Sequence, residues 1–353
     1  MKILVLSYSL ASGGAEHFAV DLCNTLSADH EVTLLTTDDD AVASNCHYLK
    51  ELRPEVRYVN LHCRSGRSPE ALFRISRYIG KTHPDIVHAN TDLIQLLLPL
   101  ALHRKPKYVH TIHNLAEVYE VSPVFKPLFR HLYRRRVCPV TISRQCSASY
   151  RKLYGLENDV TLVNGRTKPP CSDVFAAVRE QLRRFRAGRP LFVHVSRYAR
   201  QKNQEVLFAA FREIENACLV VLGRDFPPAL TAAQDASKVL FVGECPNVGD
   251  YLAEADFFVL SSLYEGLPLA LLEAMSYGVT PVSTPAGGVC DVIRDAGNGY
   301  LSAGFDAPAL AAALRRALAA PVDRQLLEEE YRRLYSMEAC TGRYLALFAR
   351  LAA

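Results

Sequence analysis

The sequence predicts an α/β protein of two doubly wound domains facing a central cleft, and three observations carry that expectation. Strand-length apolar runs alternate with helix-patterned segments through both halves of the 353 residues. The rhythm pauses between residues 164 and 189, then restarts. A chain of this length exceeds one ordinary core and suits two.

In the first half, apolar runs predict strands at residues 3–8, 32–36, 86–89, 108–112, 140–142 and 160–163. Helical patterns fall between them at 15–26, 70–82, 93–102 and 145–153. In the second half the strands are 191–196, 218–222, 239–242, 257–260 and 280–283. The helices there are 204–213, 249–254, 270–277 and 308–318, with a last one at 338–351. The expected boundaries are a first domain at 1–170, joined by the C-terminal helix at about 336–353, a linker at 171–188, and a second domain at 189–335.

Composition excludes several classes. With 49% hydrophobic and 22% charged residues the chain is neither disordered nor fibrous. The longest apolar stretch, residues 93–102, is about half a bilayer span. The chain opens on a strand-like KILVLSY without a signal-peptide layout, so a cytoplasmic location is expected. Ten cysteines show neither CxxC nor Cys/His metal spacing, and are expected to be reduced and mostly buried. Residues 1–170 carry 22 Lys and Arg against 16 Asp and Glu, a charge of +6, whereas the remainder is −2. That asymmetry suggests different partners for the two halves.

The most informative stretch is FFVLSSLYEGLPLALLEAM, residues 257–275. A buried strand runs into a glycine-containing turn, and a helix starts near Pro268 and Leu269, proline being suited to the first helical turn. The amides of Gly266 and Leu267 would then point out of a helix N-terminus, which favours anions. Glu265 precedes the turn and Glu273 lies in the helix, so the two carboxylates can address different parts of one ligand. Taken alone they also fit a dipole partner and a solvated helix residue.

The order strand, SS, YEGLP, apolar run, EAM, YG and VTPVSTPAGG strongly resembles the donor half of family 4 (group 1) retaining glycosyltransferases. The resemblance implies the GT-B fold, two Rossmann-like domains with acceptor binding in the first and nucleotide-sugar binding in the second. It also implies that Glu265 lies near the hydroxyls of the donor sugar, that Glu273 bonds the nucleotide ribose, and that the loop through Gly266, Leu267 and Pro268 supplies amides to sugar and diphosphate. A second match is VSRYARQKN from Val195, where Arg197 and Lys202 stand at the family's basic positions, with Ser196 in place of a glycine. Two fixed cations at a strand mouth can neutralise a departing nucleoside diphosphate. They also fit surface charges of a βα loop.

Ser12 to Glu16, SGGAE, resembles the family's GGAE loop, so Gly13 and Gly14 are expected at the donor phosphates or the acceptor. They also fit simple turn glycines, and no GxGxxG accompanies them. In VHTIHN, His113 matches the acceptor-domain histidine near the reacting sugar, with Asn114 beside it, while His110 reads as a packed core residue. His88 is a further candidate for the acceptor cleft or, equally, a core histidine. Asn164 and Gly165 resemble the family's NG turn, from which Arg166 departs. The resemblance covers nearly the whole chain and is most specific over residues 190–302.

These readings imply transfer of a sugar from a UDP- or GDP-type donor to a glycan or lipid-linked acceptor, in surface polysaccharide or glycolipid synthesis. His113, Glu265, Arg197 and Lys202 are the expected catalytic set. No cofactor or metal is expected, because no DxD element stands where a metal would bridge the diphosphate and residues 38–40 read as solvated. The alternatives are a sugar-nucleotide epimerase of the same fold and a non-catalytic sugar-nucleotide-binding subunit. Residues 125–136, FKPLFRHLYRRR, interleave Phe125, Leu128, Phe129, Leu132 and Tyr133 with Lys126, Arg130, Arg134, Arg135 and Arg136. They read as a peripheral contact with an anionic membrane at its inner face, or as an ordinary amphipathic helix. No nucleic-acid module accompanies the charge.

Overall fold

The computed structural model describes residues 1–90, 92–116 and 125–353. The chain divides into two units, Met1–Gly165 with Met337–Ala353, and Arg166–Ser336. The first carries the strands β1 (Lys2–Ser7), β2 (Glu31–Asp38), β3 (Arg57–Cys63), β4 (Ile86–Ala89), β5 (Lys107–Ile112), β6 (Val137–Thr141) and β7 (Val160–Thr161). They form one parallel sheet in the order β3-β2-β1-β4-β5-β6-β7.

The second unit carries β8 (Leu191–Val195), β9 (Cys218–Leu222), β10 (Val239–Gly243), β11 (Phe257–Leu260), β12 (Thr280–Ser283) and β13 (Tyr300–Leu301). Its parallel order is β10-β9-β8-β11-β12-β13. In each sheet the strand order reverses once, between β1 and β4 and between β8 and β11. Such a switch point leaves a crevice outside the carboxyl ends of the two diverging strands, where doubly wound sheets bind ligands.

Each sheet is covered by helices because its central strands are largely apolar and buried. On one face of the first sheet, Phe18, Leu22 and Leu26 of the helix Gly14–Leu26 pack with Tyr344 and Phe348 of the helix Met337–Ala352. The other face is covered by Ile75, Ile79, Phe129, Tyr133 and Tyr150. In the second unit Leu207, Phe211, Leu310 and Leu314 close over Phe192 and Val259. Local signals set the ends of these elements. Ser68 caps the helix Pro69–Thr82 by accepting the Ala71 amide, with proline in its first turn.

Three features differ from the sequence reading. The residues taken as a linker, 171–188, hold the helix Phe175–Arg186, and the chain enters the second unit at Arg166. Only Val178 and Leu182 of that helix are buried, so its sparse apolar pattern reads as a charged connector. The edge strand β3 was absent from the sequence reading because most of it is only half-buried, and Asn60 and His62 interrupt its apolar pattern. All ten cysteines are free thiols, but five are buried, and Cys171 and Cys290 are exposed.

Candidate functional site

At the switch point of the second sheet, the loop after β8 meets the loop after β11. Lys202 Nζ donates to Glu265 Oε1 at 2.6 Å, and Ser262 Oγ donates to the same oxygen at 2.6 Å. Gln201 Nε2 bonds the Tyr264 carbonyl at 2.8 Å, and Ser261 Oγ bonds the Lys202 carbonyl at 2.8 Å. These bonds lace the two loops together. The Gly288 amide, in the PAGG turn, donates to the Glu265 carbonyl at 3.0 Å and fixes the loop from behind.

Glu265 is buried, so Lys202 and Ser262 supply the compensation a buried carboxylate needs. Arg197 differs from Lys202: it is exposed, and its guanidinium makes no ion pair or hydrogen bond among the described residues. It is a cation at the strand mouth without a counter-charge. The backbone amides of Gly266 and Leu267 also have no hydrogen-bond partner among the described residues. Pro268 is the N-cap of the helix Leu269–Ser276 rather than part of its first turn. Open amides, a helix N-terminus and a free guanidinium together form an anion-accepting edge.

Glu273, on the same helix, takes a partner the sequence did not suggest. Arg166 Nε donates to Glu273 Oε1 at 2.6 Å, and the two side chains are only 7% and 11% exposed. The two residues are 107 positions apart; only the departure of Arg166 from the family pattern hinted at it.

In the first unit, the corresponding groups gather at the β1/β4 switch point. Asn90, which follows β4, donates through Nδ2 to the Ala15 carbonyl at 2.6 Å, so its Oδ1 faces His113. His113 Nε2 therefore donates to Asn90 Oδ1 at 2.8 Å, leaving Nδ1 to accept from Asn164 Nδ2 at 3.4 Å. One network joins the GGAE helix, the residue after β5 and the NG turn. Burial, then neighbouring His110, holds the His113 pKa down to about 3, which agrees with a neutral ring engaged at both nitrogens. Sequence reasoning named His113, Asn164 and the glycine loop but missed Asn90, the residue that ties them.

Gly13 is the N-cap of the helix beginning at Gly14, in extended backbone that any residue adopts. A Cβ there would lie 2.2 Å from Glu16 Oε2, since that carboxylate folds back over the helix start. Asn114 is half-buried and its Oδ1 accepts the Leu115 amide at 2.8 Å. Of the two readings offered for His88, the structure fits the core histidine: it is wholly buried. Its Nε2 pairs with Thr111 Oγ1 at 2.8 Å and its ring packs on Tyr344 and Phe348. His110 is buried against Tyr133, bonding its hydroxyl at 2.7 Å. Asp39 and Asp40 approach His62 Nδ1 at 3.1 and 3.3 Å. Asp39 and Asp40 are half-buried and only His62 of the three is exposed. A cavity of about 440 Å³ lined by Arg186, Asp256 and Arg324 opens at the amino ends of β8 and β11, the wrong edge for these groups.

Two family models divide the chain between them. The model for glycosyl transferases group 1 matches residues 189–320, and that for glycosyltransferase family 4 matches residues 12–165. The chain belongs to the group 1, family 4 glycosyltransferases. It is 34% identical over 179 residues to a glycogen synthase of Myxococcus xanthus, a match covering 46% of this chain and 38% of that one. It is 34% identical over 120 residues to the N-acetyl-alpha-D-glucosaminyl L-malate synthase of Bacillus anthracis, covering 31% of each. The chain thus spans about a third of the length of these relatives.

Among solved structures, Anabaena HepE in complex with UDP superposes with a TM-score of 0.80 at 16% identity, over 99% of this chain and all of that one. A sucrose-phosphate synthase from Thermosynechococcus elongatus gives 0.79 at 22% identity, covering 99% and 98%. The fold is therefore GT-B, as the resemblance implied.

Proposed function

We propose that the chain transfers a sugar from a nucleotide-sugar donor to a glycan or lipid-linked acceptor, with retention at the anomeric carbon and without a metal. The observation that carries this reading is the edge at the β8/β11 switch point. There a free Arg197, the Lys202–Glu265 pair and the open amides of Gly266 and Leu267 converge. In this reading Arg197, Lys202 and the amides stabilise the departing diphosphate, Glu265 orients the sugar hydroxyls, and Glu273 accepts a ribose hydroxyl.

The acceptor hydroxyl attacks the anomeric carbon on the face the leaving group departs from. As the sugar–phosphate bond breaks, the leaving phosphate takes the hydroxyl proton. His113, with both nitrogens engaged, orients substrate rather than abstracting a proton. Anabaena HepE, with UDP and UDP-glucose in its structures, supports a UDP-type donor, GDP being the other candidate. The glycogen synthase relative supports a glycan acceptor, whereas the malate synthase relative is named for a small hydroxy acid. A melting-temperature screen of the full chain with UDP, GDP, ADP and their sugars tests the donor reading, since bound ligand stabilises by mass action. One nucleotide set should raise the midpoint. Uniform indifference to all three sinks the reading.

We also propose that this activity is exercised at an anionic membrane surface. No helix among the described residues is long and apolar enough to cross a membrane. On the helix Lys126–Arg135, Phe129 and Tyr133 are buried in the core. Phe125 and Leu128 stay exposed beside Lys126, Arg130, Arg134 and Arg135. Arg136 bonds the carbonyls of Leu100 and His103 and serves the fold. Cosedimentation with phosphatidylserine vesicles should be lost when Arg130, Arg134 and Arg135 are neutralised; binding that survives contradicts the proposal.

A further inference from the structure

We propose that Arg166 is a positioning residue for ribose recognition, a role that rests on the reading of Glu273 given above. The carboxylate of Glu273 is divided by its partner. Oε1 receives Arg166 Nε at 2.6 Å, while Oε2 has no hydrogen-bond partner among the described residues. One oxygen is thus held in place and the other is left as an acceptor. A hydroxyl reaching Oε2 meets a carboxylate whose plane is already set, with a guanidinium as fixed counter-charge. Pre-set geometry of this kind lowers the ordering cost of binding. The pair is nearly buried, so salt screens it little.

Arg166 is itself held from three sides. Its amide donates to the Tyr335 carbonyl at 2.9 Å, and its carbonyl accepts the Tyr331 hydroxyl at 2.6 Å. Its backbone also bridges Ser336. The segment that receives it is a π-turn, Tyr331–Tyr335, in which the Ser336 amide bonds the Tyr331 carbonyl five residues back. The wider turn leaves the Tyr335 carbonyl to Arg166. Arg294 adds a second tie to this segment, gripping Glu330 through its two terminal guanidinium nitrogens at 2.6 and 2.7 Å. A surface charge pair needs no such scaffold; an arginine that must present one nitrogen to one carboxylate oxygen does.

The test compares ribonucleotides with their 2′-deoxy and 3′-deoxy forms, using UDP, GDP and ADP titrated calorimetrically into the full chain. Removing the hydroxyl that Glu273 accepts should weaken binding to the wild-type chain by about tenfold or more. In R166Q this ratio should shrink to about threefold or less, as in E273Q. R166K keeps the charge without the side-on Nε and should restore part of the ratio. It carries the test alone if R166Q does not fold, a full wild-type ratio then overturning the proposal. A folded R166Q that discriminates as well as wild type, beside an E273Q that does not, overturns the positioning role and leaves the ribose reading intact. An unchanged ratio in E273Q, or no binding of any nucleotide by wild type, overturns both.

Discussion

Lys202 and Glu265 are partners of each other: the ammonium and the carboxylate lie 2.6 Å apart at the β8/β11 switch point, although the sequence assigns one to phosphate and the other to sugar. Each is thus the other's counter-charge until donor arrives. Replacing Lys202 by alanine should lower the transfer rate by about a hundredfold to a thousandfold, the cost of one preorganised donor to developing charge. It should also destabilise the fold, because among the described residues the Glu265 carboxylate keeps only Ser262 and the longer contact with Gln201. A Lys202→Met and Glu265→Gln cycle followed by chemical denaturation should give a coupling energy of about 1–3 kcal/mol. Strict additivity would show that the pair is not formed in solution.

Arg197 should behave in the opposite way. Its exposed guanidinium makes no hydrogen bond or ion pair among the described residues, so Arg197→Ala should leave stability within about 0.5 kcal/mol. Transfer should nonetheless fall by about a hundredfold, since the missing charge acts only on the leaving group. Steady-state rates with an unchanged melting midpoint establish this; an unaltered rate removes Arg197 from the mechanism.

His194 gives a pH signature. Burial, opposed by its bond to the Val259 carbonyl, lowers its pKa from 6.5 to about 4. Its folded pKa lies below its unfolded one, so the native state excludes the proton. The associated stability is complete above pH 6.5 and is lost as the pH falls towards 4. Between pH 7 and pH 5 this residue should account for about 2 kcal/mol of lost stability. His194→Gln, which can donate to the Val259 carbonyl and accept from Ser196 Oγ as the ring does but without titrating, should lose that much less in denaturant melts over the same interval. Parallel pH profiles for the two proteins would contradict the assignment.

Gly223 is required by a close approach. It has φ +142°, and a Cβ would sit 1.8 Å from the carbonyl oxygen of Ser196, at the start of the Arg197 loop. The obstacle is backbone and cannot swing aside. Gly223→Ala should cost about 3 kcal/mol and weaken donor binding through the displaced loop. Melting and titration of the same preparation would report both.

Much of this was legible in advance. The strands β4, β9, β11 and β12 coincide with apolar runs bounded by polar residues or turns, and their spans match the sequence reading residue for residue. What remained hidden depends on three-dimensional placement. His88 and His113 look alike in sequence, each near the end of an apolar strand. His88 is the third residue of β4, paired with Val5 and Val109 inside the sheet, whereas His113 follows the last residue of β5. One lies within the ladder and the other just beyond it, which separates a core residue from a loop residue. The Arg166–Glu273 pair depends on a crossing of distant segments, and neither hydrophobic period nor turn chemistry encodes such a meeting.

The most direct test of the donor site is calorimetric titration of the stabilising nucleotide-sugar into the full chain, with and without EDTA. Binding should be saturable, unchanged by EDTA and weakened about tenfold or more by Glu273→Gln. Absence of binding, or binding that EDTA abolishes or Glu273→Gln leaves intact, would contradict the donor reading.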